Sequence, residues 1–255
     1  MFDIVSFFPR AVMQGVPLLF GGTGEIITEK SGNLNLGIPG IMYVGGICGV
    51  IGAFMYEQST AELNSLLAIL IPVLSCLLGS LLMGLLYCFL TVTLRANQTV
   101  VGAAVNVLGS GLSATLFRIM FGVSATVPSI DVFEPVSIPG LSAIPLIGEG
   151  FFDHMPMVYI AFLMVPVMSY FLFKTQTGLN LRSVGENPKV ADTLGINVYR
   201  TQYICVILCG ILAAMGGAYM SIGDIHLFSR DMVAGRGFIA IHPAAVVDMK
   251  AVEAQ

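Results

Sequence analysis

The sequence has few charged residues. Only 10% of its 255 residues are Asp, Glu, Lys or Arg, and 56% are hydrophobic. Soluble domains carry about 25% charged residues, so this composition indicates a membrane protein. The net charge of −4 offers no positive excess of the kind that nucleic-acid binding requires. We therefore expect a lipid bilayer, and no nucleic acid, among the partners of this chain.

Motifs for catalysis and metal binding are also lacking. No G-x-x-x-x-G-K-[ST] segment occurs, so the chain has no P-loop of its own to bind ATP phosphates. The three histidines are scattered without metal-ligand spacing, and the five cysteines lie in apolar runs without a CxxC pair. No catalytic pairing of serine or cysteine with histidine is recognisable. We predict that this chain is not an enzyme and that it binds no metal and no cofactor.

Long apolar runs dominate what is present. A helix needs about 20 mostly apolar residues to cross a bilayer, and lipid offers no partners for unpaired backbone groups. The sequence therefore predicts an all-α fold, a polytopic transmembrane helical bundle with about six spans. One run, Ala11–Ile27, is weaker because Gly21, Gly22 and Glu25 interrupt it. The five clear runs are Leu36–Tyr56, Leu66–Leu94, Val100–Gly122, Met157–Phe173 and Tyr203–Ile222.

The distribution of basic residues predicts the orientation of the bundle. The loop 174–200 carries Lys174, Arg182, Lys189 and Arg200, whereas the loops Glu57–Asn64 and Val123–Pro156 hold no Lys or Arg at all. Positive charge concentrates in cytoplasmic loops, so loop 174–200 is predicted to be cytoplasmic and loop 123–156 external. The external loop is rich in proline, and we expect it to form an irregular cap.

A short helix with clear start and stop signals lies inside the polar stretch "TGLNLRSVGENPKVADTLGINVYRTQ". Asn187 is a good N-cap, Pro188 suits the first helical position, and Gly195 can end the helix in a left-handed conformation. A helix of about two turns is too short to be stable alone. Its apolar residues are predicted to form one narrow face: Val190, Ala191 and Leu194. This pattern favours a docking element, and packing onto the chain's own spans is the alternative.

Several polar residues fall at membrane depth, where they are costly and usually face the bundle interior. Asn106, Ser110 and Ser113 recur at i, i+4 and i+7. Asn33 and Asn35 lie in a glycine- and proline-rich break between two runs, and broken helices at membrane depth typically line a substrate path. We expect these five residues to line a solute pathway. For Asn106, hydrogen bonding between helices is the alternative.

Four segments resemble one family. "GLNLRSVGENPKVADTLGINVYRTQYICVILCGILAAMGGAYMSIG" is similar to the cytoplasmic loop and following span of ATP-binding-cassette (ABC) importer permeases of the ribose and simple-sugar type. "GGTGEIITEKSGNLNLGIPGIMYVGGICG" resembles their opening element, and its residue pattern E-K-S-G-N-L-N-L-G resembles that of the nucleoside-type branch. "ANQTVVGAAVNVLGSGLSATLFR" and "MVAGRGFIA" resemble later segments. The four occur in the family's order and extend from about Gly15 to Ala240.

The resemblance implies a function and a set of partners. The chain would be the permease subunit of an importer, a multi-pass protein of the bacterial cell membrane that translocates nucleosides or related simple sugars. The 187–195 helix would be a cytoplasmic coupling helix held in a groove of a separate ATPase subunit, which would bind ATP and Mg²⁺. A second permease chain and an extracytoplasmic substrate-binding protein would complete the assembly.

An ion-coupled secondary transporter of a small polar solute is the alternative function. That class needs several carboxylates or histidines inside the membrane for coupling. This chain offers essentially Glu25, which we expect to pair with Lys30 near the cytoplasmic face. The residues at membrane depth therefore favour the ABC permease.

The sequence after "GRGFIA" departs from the family. The family continues with hydrophobic spans, whereas this chain reads "IHPAAVVDMKAVEAQ". We expect residues 1–240 to form the transmembrane permease domain and residues 241–255 to be a divergent, non-native polar tail. A frameshift or premature stop in the reading frame is one explanation, and a genuinely shorter permease is the other.

Overall fold

The structure is a computed structural model that describes residues 4–59, 65–122, 136–137, 153–224, 229 and 232–241. These residues are almost entirely helical, which confirms the all-α prediction. The α-helices are α1 (Ile4–Lys30), α2 (Ile38–Ser59), α3 (Ser65–Cys88), α4 (Gln98–Phe121), α5 (Pro156–Lys174), α6 (Gln176–Glu186), α7 (Pro188–Thr193) and α8 (Val198–Ala218). Two π-helical turns, Phe89–Thr93 and Tyr219–Asp224, extend α3 and α8. A two-residue antiparallel pair joins β1 (Val136–Ser137) to β2 (Asp153–His154).

Five helical segments among the described residues are long and apolar enough to cross a membrane. They are Ile38–Ser59, Leu67–Thr93, Gln98–Phe121, Pro156–Lys174 and Val198–Gly223. Each coincides with one of the five clear apolar runs of the sequence, so those predictions are confirmed. The weaker sixth run lies within α1, which has 27 residues but is not among these five.

Helices α2 and α8 form the centre of the bundle. Most of each apolar stretch is buried inside the protein, whereas only about a third or less of the apolar stretch is buried in the outer helices α3, α4 and α5. Small residues let the two central helices approach closely, as at Gly45 of α2, which lies against the backbone of Ala214 in α8. Helices α1 and α3 pack against α8, and α4 packs against α2.

One end of the bundle collects the polar connections, and we call it the polar end. Here the Gln202 side chain donates a hydrogen bond to the Ser31 carbonyl at 3.4 Å. The Arg95 guanidinium donates to the hydroxyl of Tyr199 and also lies over its ring. The connections after α1, after α3 and after α5 thus meet at one end of the bundle. That this end is the cytoplasmic one remains a prediction.

The loop predicted to be external and the predicted polar tail lie largely outside the described residues. Of the loop predicted to be external, only its two short strands and residue 155 are described, and β1 pairs with β2 through Val136 opposite His154. At the other end of the chain, residues 236–241 are helical and Ala240 lies against Gly21 of α1. The polar tail is described only at Ile241.

Candidate functional site

The backbone between α1 and α2 is interrupted at residues 31–37, which we call the broken segment. Its first turn is closed locally, since Ser31 and Asn33 both donate backbone hydrogen bonds to the Thr28 carbonyl. The following backbone groups have left the helical pattern and are largely buried, so side chains must satisfy them. Side chains from α1, α3, α4, α8 and the segment itself do so.

Asn106 of α4 bridges the broken segment and the start of α2. Its Oδ1 accepts a hydrogen bond from the Gly40 N–H at 2.8 Å, and its Nδ2 donates to the Leu36 carbonyl at 2.8 Å. The helices can approach this closely because Gly40 has no Cβ, which would lie 2.5 Å from the Val105 carbonyl oxygen. The carboxamide of Asn106 therefore holds α4 to the broken segment, the interhelical role that the sequence left as the alternative.

Glu25 of α1 satisfies the broken segment from the other side. Its side chain is fully buried, and its carboxylate accepts a hydrogen bond from the Asn35 N–H at 2.8 Å. The Cys209 thiol of α8 lies 3.8 Å from the same carboxylate and is oriented to donate. Sequence reasoning expected a pairing with Lys30, but these two hydrogen bonds direct Glu25 into the bundle.

Asn35 is itself fully buried and turned inward. Its Oδ1 accepts from the Gly37 N–H at 3.1 Å, and its Nδ2 donates to the Cys209 sulfur at 3.4 Å. Both ends of this carboxamide therefore contact the protein. Asn35 shapes the broken segment in this structure.

Asn33 differs from the other two asparagines. Gln98, the first residue of α4, accepts from the Leu34 N–H at 2.9 Å and donates to Asn33 Oδ1 at 3.0 Å. The Nδ2 of Asn33 is buried, and within the described ranges it has no hydrogen-bond partner. Sequence reasoning did not select Gln98, although the N-cap residue Asn97 before it marks the helix start that places Gln98 at the polar end.

The two serines predicted to accompany Asn106 are not brought to the broken segment. Ser113 is buried and donates to the Ser110 carbonyl, while Ser110 is exposed and donates to the Val107 carbonyl. Both hydrogen bonds stay within α4. The face of α4 that meets the broken segment and the start of α2 is instead formed by Gly102, Asn106 and Gly109.

The capped helix α7 follows its sequence signals closely. The Asn187 side chain accepts from the Val190 N–H at 3.2 Å. At the other end Gly195 adopts φ +82°, donating to the Asp192 carbonyl, and Ile196 donates to the Ala191 carbonyl. This pair of hydrogen bonds is the Schellman arrangement that closes a helix on a left-handed glycine. The predicted start and stop of this helix are confirmed.

The apolar face predicted for α7 is divided in the structure. Ala191 is 1% exposed and faces the rest of the chain, whereas Val190 is 52% and Leu194 72% exposed. The prediction of one three-residue face is therefore wrong for Ala191, because that side of α7 packs on its own α6 and α8. Val190 and Leu194, one turn apart, present the outward apolar surface.

Helix α6 connects the capped helix to the broken segment. Gly185, near its end, lies against the backbone of Lys30, the last residue of α1, and of Gly32 in the broken segment. A cavity of about 740 Å³ opens beside this junction, between the broken segment and α7. The broken segment and α7, the two regions predicted to be functional, thus both line this cavity.

Cysteines and potential metal ligands are arranged as packing residues. All five cysteines are free, and four of them are buried. Cys76, for example, donates from its sulfur to the Ala214 carbonyl at 3.1 Å. No group of three or more His, Cys, Asp or Glu residues that could hold a metal ion occurs in the described part of the chain.

Comparison with known proteins gives consistent matches over most of the chain. A family model described as the permease component of branched-chain amino acid transport systems matches residues 9–247. The guanosine ABC transporter permease protein NupQ of Bacillus subtilis is 32% identical over 234 residues, which are 91% of this chain and 72% of NupQ. The nucleoside ABC transporter permease protein NupC of Lactococcus lactis is 35% identical over 237 residues, covering 90% of this chain and 71% of NupC. The putative glucose ABC transporter permease protein TsgC13 of Haloferax volcanii is 34% identical over 234 residues, covering 90% and 67%.

Proposed function

The chain belongs to the family of permease components of branched-chain amino acid transport systems, and from this we propose that it is the membrane-spanning subunit of an ABC importer for nucleosides. It is a multi-pass protein of the cell membrane. The choice of nucleosides as substrate is supported by the sequence identities of 32% and 35% to two permeases named for guanosine and nucleosides. Each match covers about nine-tenths of this chain. ATP would be bound and hydrolysed by a separate ATPase subunit.

The coupling role is proposed for the capped helix α7. Val190 and Leu194 are exposed apolar side chains on a helix whose ends are already satisfied by its own caps. Such a helix can bind in a groove of a partner without a further loss of conformational entropy, because it is already ordered. Motion of the ATPase would pass from α7 through α6 to the end of α1, where Gly185 meets Lys30.

The solute pathway is proposed to run along the broken segment, between this chain and a second permease chain. Asn33 has a buried side-chain N–H group that lacks a hydrogen-bond partner among the described residues, while Asn35 and Asn106 hold the backbone in shape. Ser110 and Ser113 stay as candidate lining residues of α4. An extracytoplasmic binding protein would deliver the solute at the opposite end of the bundle.

Simple sugars are the second candidate substrate class. The 34% identity to a permease named for glucose favours them, over 90% of this chain. An ion-coupled secondary transporter is disfavoured, because the chain belongs to a family of permease components. Uptake of labelled guanosine and labelled glucose by the assembled transporter separates the two substrate classes.

The coupling proposal is tested by Leu194→Asp. We expect at least about tenfold weaker association with the ATPase subunit, because a carboxylate in an apolar groove costs several kcal/mol if it stays unpaired. The measurement is co-purification of the ATPase together with guanosine uptake in cells. Thermal unfolding of the chain should not change, since Leu194 is 72% exposed.

A matched control is Leu179→Asp on α6. Leu179 is also an exposed leucine, at 56%, in the same polar stretch. This control should keep ATPase association and uptake. The coupling role of α7 would be contradicted if Leu194→Asp left ATPase association unaltered, or if both variants lost ATPase association equally.

A further inference from the structure

One exposed face of α5 runs along the helix and ends in a basic residue. Four exposed residues at helical spacing form it: Leu163, Val167, Tyr170 and Lys174. Helix α5 is long and apolar enough to cross the membrane, and only 22% of its apolar stretch is buried inside the protein, so this face contacts lipid. Lys174 is the last residue of α5, directly before the polar stretch. It therefore marks the depth of the lipid headgroups, and Tyr170 one turn earlier fits the aromatic belt at that boundary.

Arg182 of α6 reaches the same depth. The central carbon of its guanidinium lies over the ring of Phe173, 5.2 Å from the ring centroid, which is a cation–π contact. Phe173 is the residue before Lys174, and its side chain is 56% exposed. The contact therefore brings a second positive charge to the membrane–water boundary at which α5 ends.

These two positive charges have no anionic partner in the part of the chain that the structure describes. No carboxylate there forms an ion pair with Lys174 or Arg182. Glu186, one turn beyond Arg182 on α6, lines the cavity beside α7 instead. The Nε of Arg182 is enclosed without a hydrogen bond among the described residues, whereas its two terminal nitrogens are not enclosed. Those nitrogens form a fork of donors that fits a phosphate group, so a phosphate is the expected partner.

A phospholipid supplies both parts of what this surface can bind. Its phosphate lies at the depth of Lys174 and Arg182, and its acyl chains lie along the exposed apolar face of α5. A soluble phosphate compound would match the charges but leave that apolar face without a partner. The polar end is the predicted cytoplasmic end, and the cytoplasmic leaflet is the one that carries the anionic lipids. Charge and depth together therefore favour an anionic phospholipid.

We propose that Phe173, Lys174 and Arg182 form a site for the headgroup of an anionic phospholipid, which we call the headgroup site. The terminal nitrogens of Arg182 donate hydrogen bonds to the lipid phosphate, Lys174 adds a second positive charge, and the ring of Phe173 holds the guanidinium at the lipid surface. A lipid bound here fixes the start of α6 at the membrane boundary. The proposal does not depend on which solute the chain transports.

The test uses tryptophan fluorescence, because the sequence contains no tryptophan and one introduced residue reports only on its own surroundings. Phe173→Trp keeps an aromatic ring beneath Arg182 and places the reporter in the site. The 255-residue chain with this substitution is held in nanodiscs of phosphatidylcholine and phosphatidylglycerol, and one lipid at a time carries brominated acyl chains, which quench tryptophan. The ratio of the two quenching curves gives the local preference. Phosphatidylglycerol should be preferred at least about fivefold, because each nearby basic residue favours anionic lipid by about that factor.

Matched variants locate the preference. In the Phe173→Trp background, Arg182→Gln should lower the preference about fivefold, and the further change Lys174→Gln should abolish it. Lys189→Gln removes a positive charge from α7, in the same polar stretch but away from the end of α5, and should leave the preference unchanged. Leu82→Trp moves the reporter to a lipid-exposed position of α3, 71% exposed, where neither lipid should be preferred. Unchanged quenching of the Leu82→Trp reporter by brominated phosphatidylcholine in each glutamine variant checks that the bundle is intact.

Four results would overturn the headgroup site. They are equal quenching by the two lipids, an undiminished preference in Arg182→Gln, an equal loss in Lys189→Gln, and no quenching by either lipid, which would show that protein covers this face of α5. Sodium phosphate and sodium chloride at equal ionic strength should weaken the preference equally, since both only screen the charges. A loss specific to sodium phosphate would assign Lys174 and Arg182 to a soluble phosphate compound and contradict the lipid proposal.

Discussion

The broken segment and the capped helix both interrupt regular helix, and they satisfy the freed backbone groups in opposite ways. At the broken segment the partners are distant in sequence: Asn106 contacts Gly40 and Leu36 from 66 and 70 residues away. At α7 the partners are local, since Asn187 caps its start and the glycine turn closes its end. One region therefore depends on the assembled bundle, and the other largely on its own ten residues.

Each region also contains a side chain whose polarity is opposite to that of its surroundings. Beside the broken segment, α1 places the fully buried carboxyl group of Glu25 inside the bundle. The capped helix places the apolar side chain of Leu194 at the surface of a polar connection, 72% exposed. Both arrangements are costly unless a partner is present. For Glu25 the partners are within the chain, and for Leu194 the proposed partner is another subunit.

The largest effect is expected for Asn106→Leu. Leucine removes both hydrogen bonds and leaves the Gly40 N–H and the Leu36 carbonyl unpaired at about 1–3 kcal/mol each, so a loss of roughly 2–6 kcal/mol in unfolding free energy is expected. The measurement is unfolding of the purified chain in mild detergent.

Ser110→Leu is the control for that experiment. Ser110 lies one turn further along α4, is exposed, and hydrogen-bonds only within its own helix. It should change the unfolding free energy by less than about 0.5 kcal/mol, as exposed substitutions do. Equal stability of the two variants would show that Asn106 does not hold the broken segment.

A smaller effect is expected for Glu25→Leu. The substitution leaves one backbone group, the Asn35 N–H, without its acceptor, which costs about 1–3 kcal/mol. Glu25→Gln keeps an oxygen for the same N–H and should be close to the parent chain in stability. If glutamine and leucine destabilise equally, the hydrogen bond to Asn35 is not what Glu25 contributes.

The difference between the two regions explains what the sequence could predict. The capped helix was predicted almost residue by residue, because each cap signal acts within a few positions of the chain. The five apolar runs were likewise found within a few residues, since hydropathy is a local property. The direction in which α7 turns its side chains depends on α6 and α8, so the burial of Ala191 was missed.

The broken segment could be located from its glycines and asparagines, but its contacts could not be predicted. Helical periodicity placed Asn106 with Ser110 and Ser113. The residues that meet the broken segment and the start of α2, Gly102, Asn106 and Gly109, have the same i, i+4, i+7 spacing, so periodicity alone could not tell which set faces them. The same limit holds for Glu25, whose partners Asn35 and Cys209 come from the broken segment and from α8. Pairings that form only when distant helices pack require the structure.

The smallest effect is expected for Gly195→Ala, which isolates the local stability of the capped helix. Gly195 has φ +82°, and a Cβ added there would meet no atom within 4 Å. The alanine methyl group is thus free of clashes, and only the left-handed backbone is penalised, by about 1–2 kcal/mol.

Because the interactions at α7 are local, this penalty should loosen residues 187–196 and leave global unfolding unchanged. Amide hydrogen exchange should rise by roughly tenfold in α7 alone, since about 1.4 kcal/mol corresponds to a factor of ten. Gly195→Asn is the matched control, because asparagine tolerates the left-handed conformation and should retain most of the protection. A fall in global stability with Gly195→Ala equal to that with Asn106→Leu would contradict the separation of the two regions.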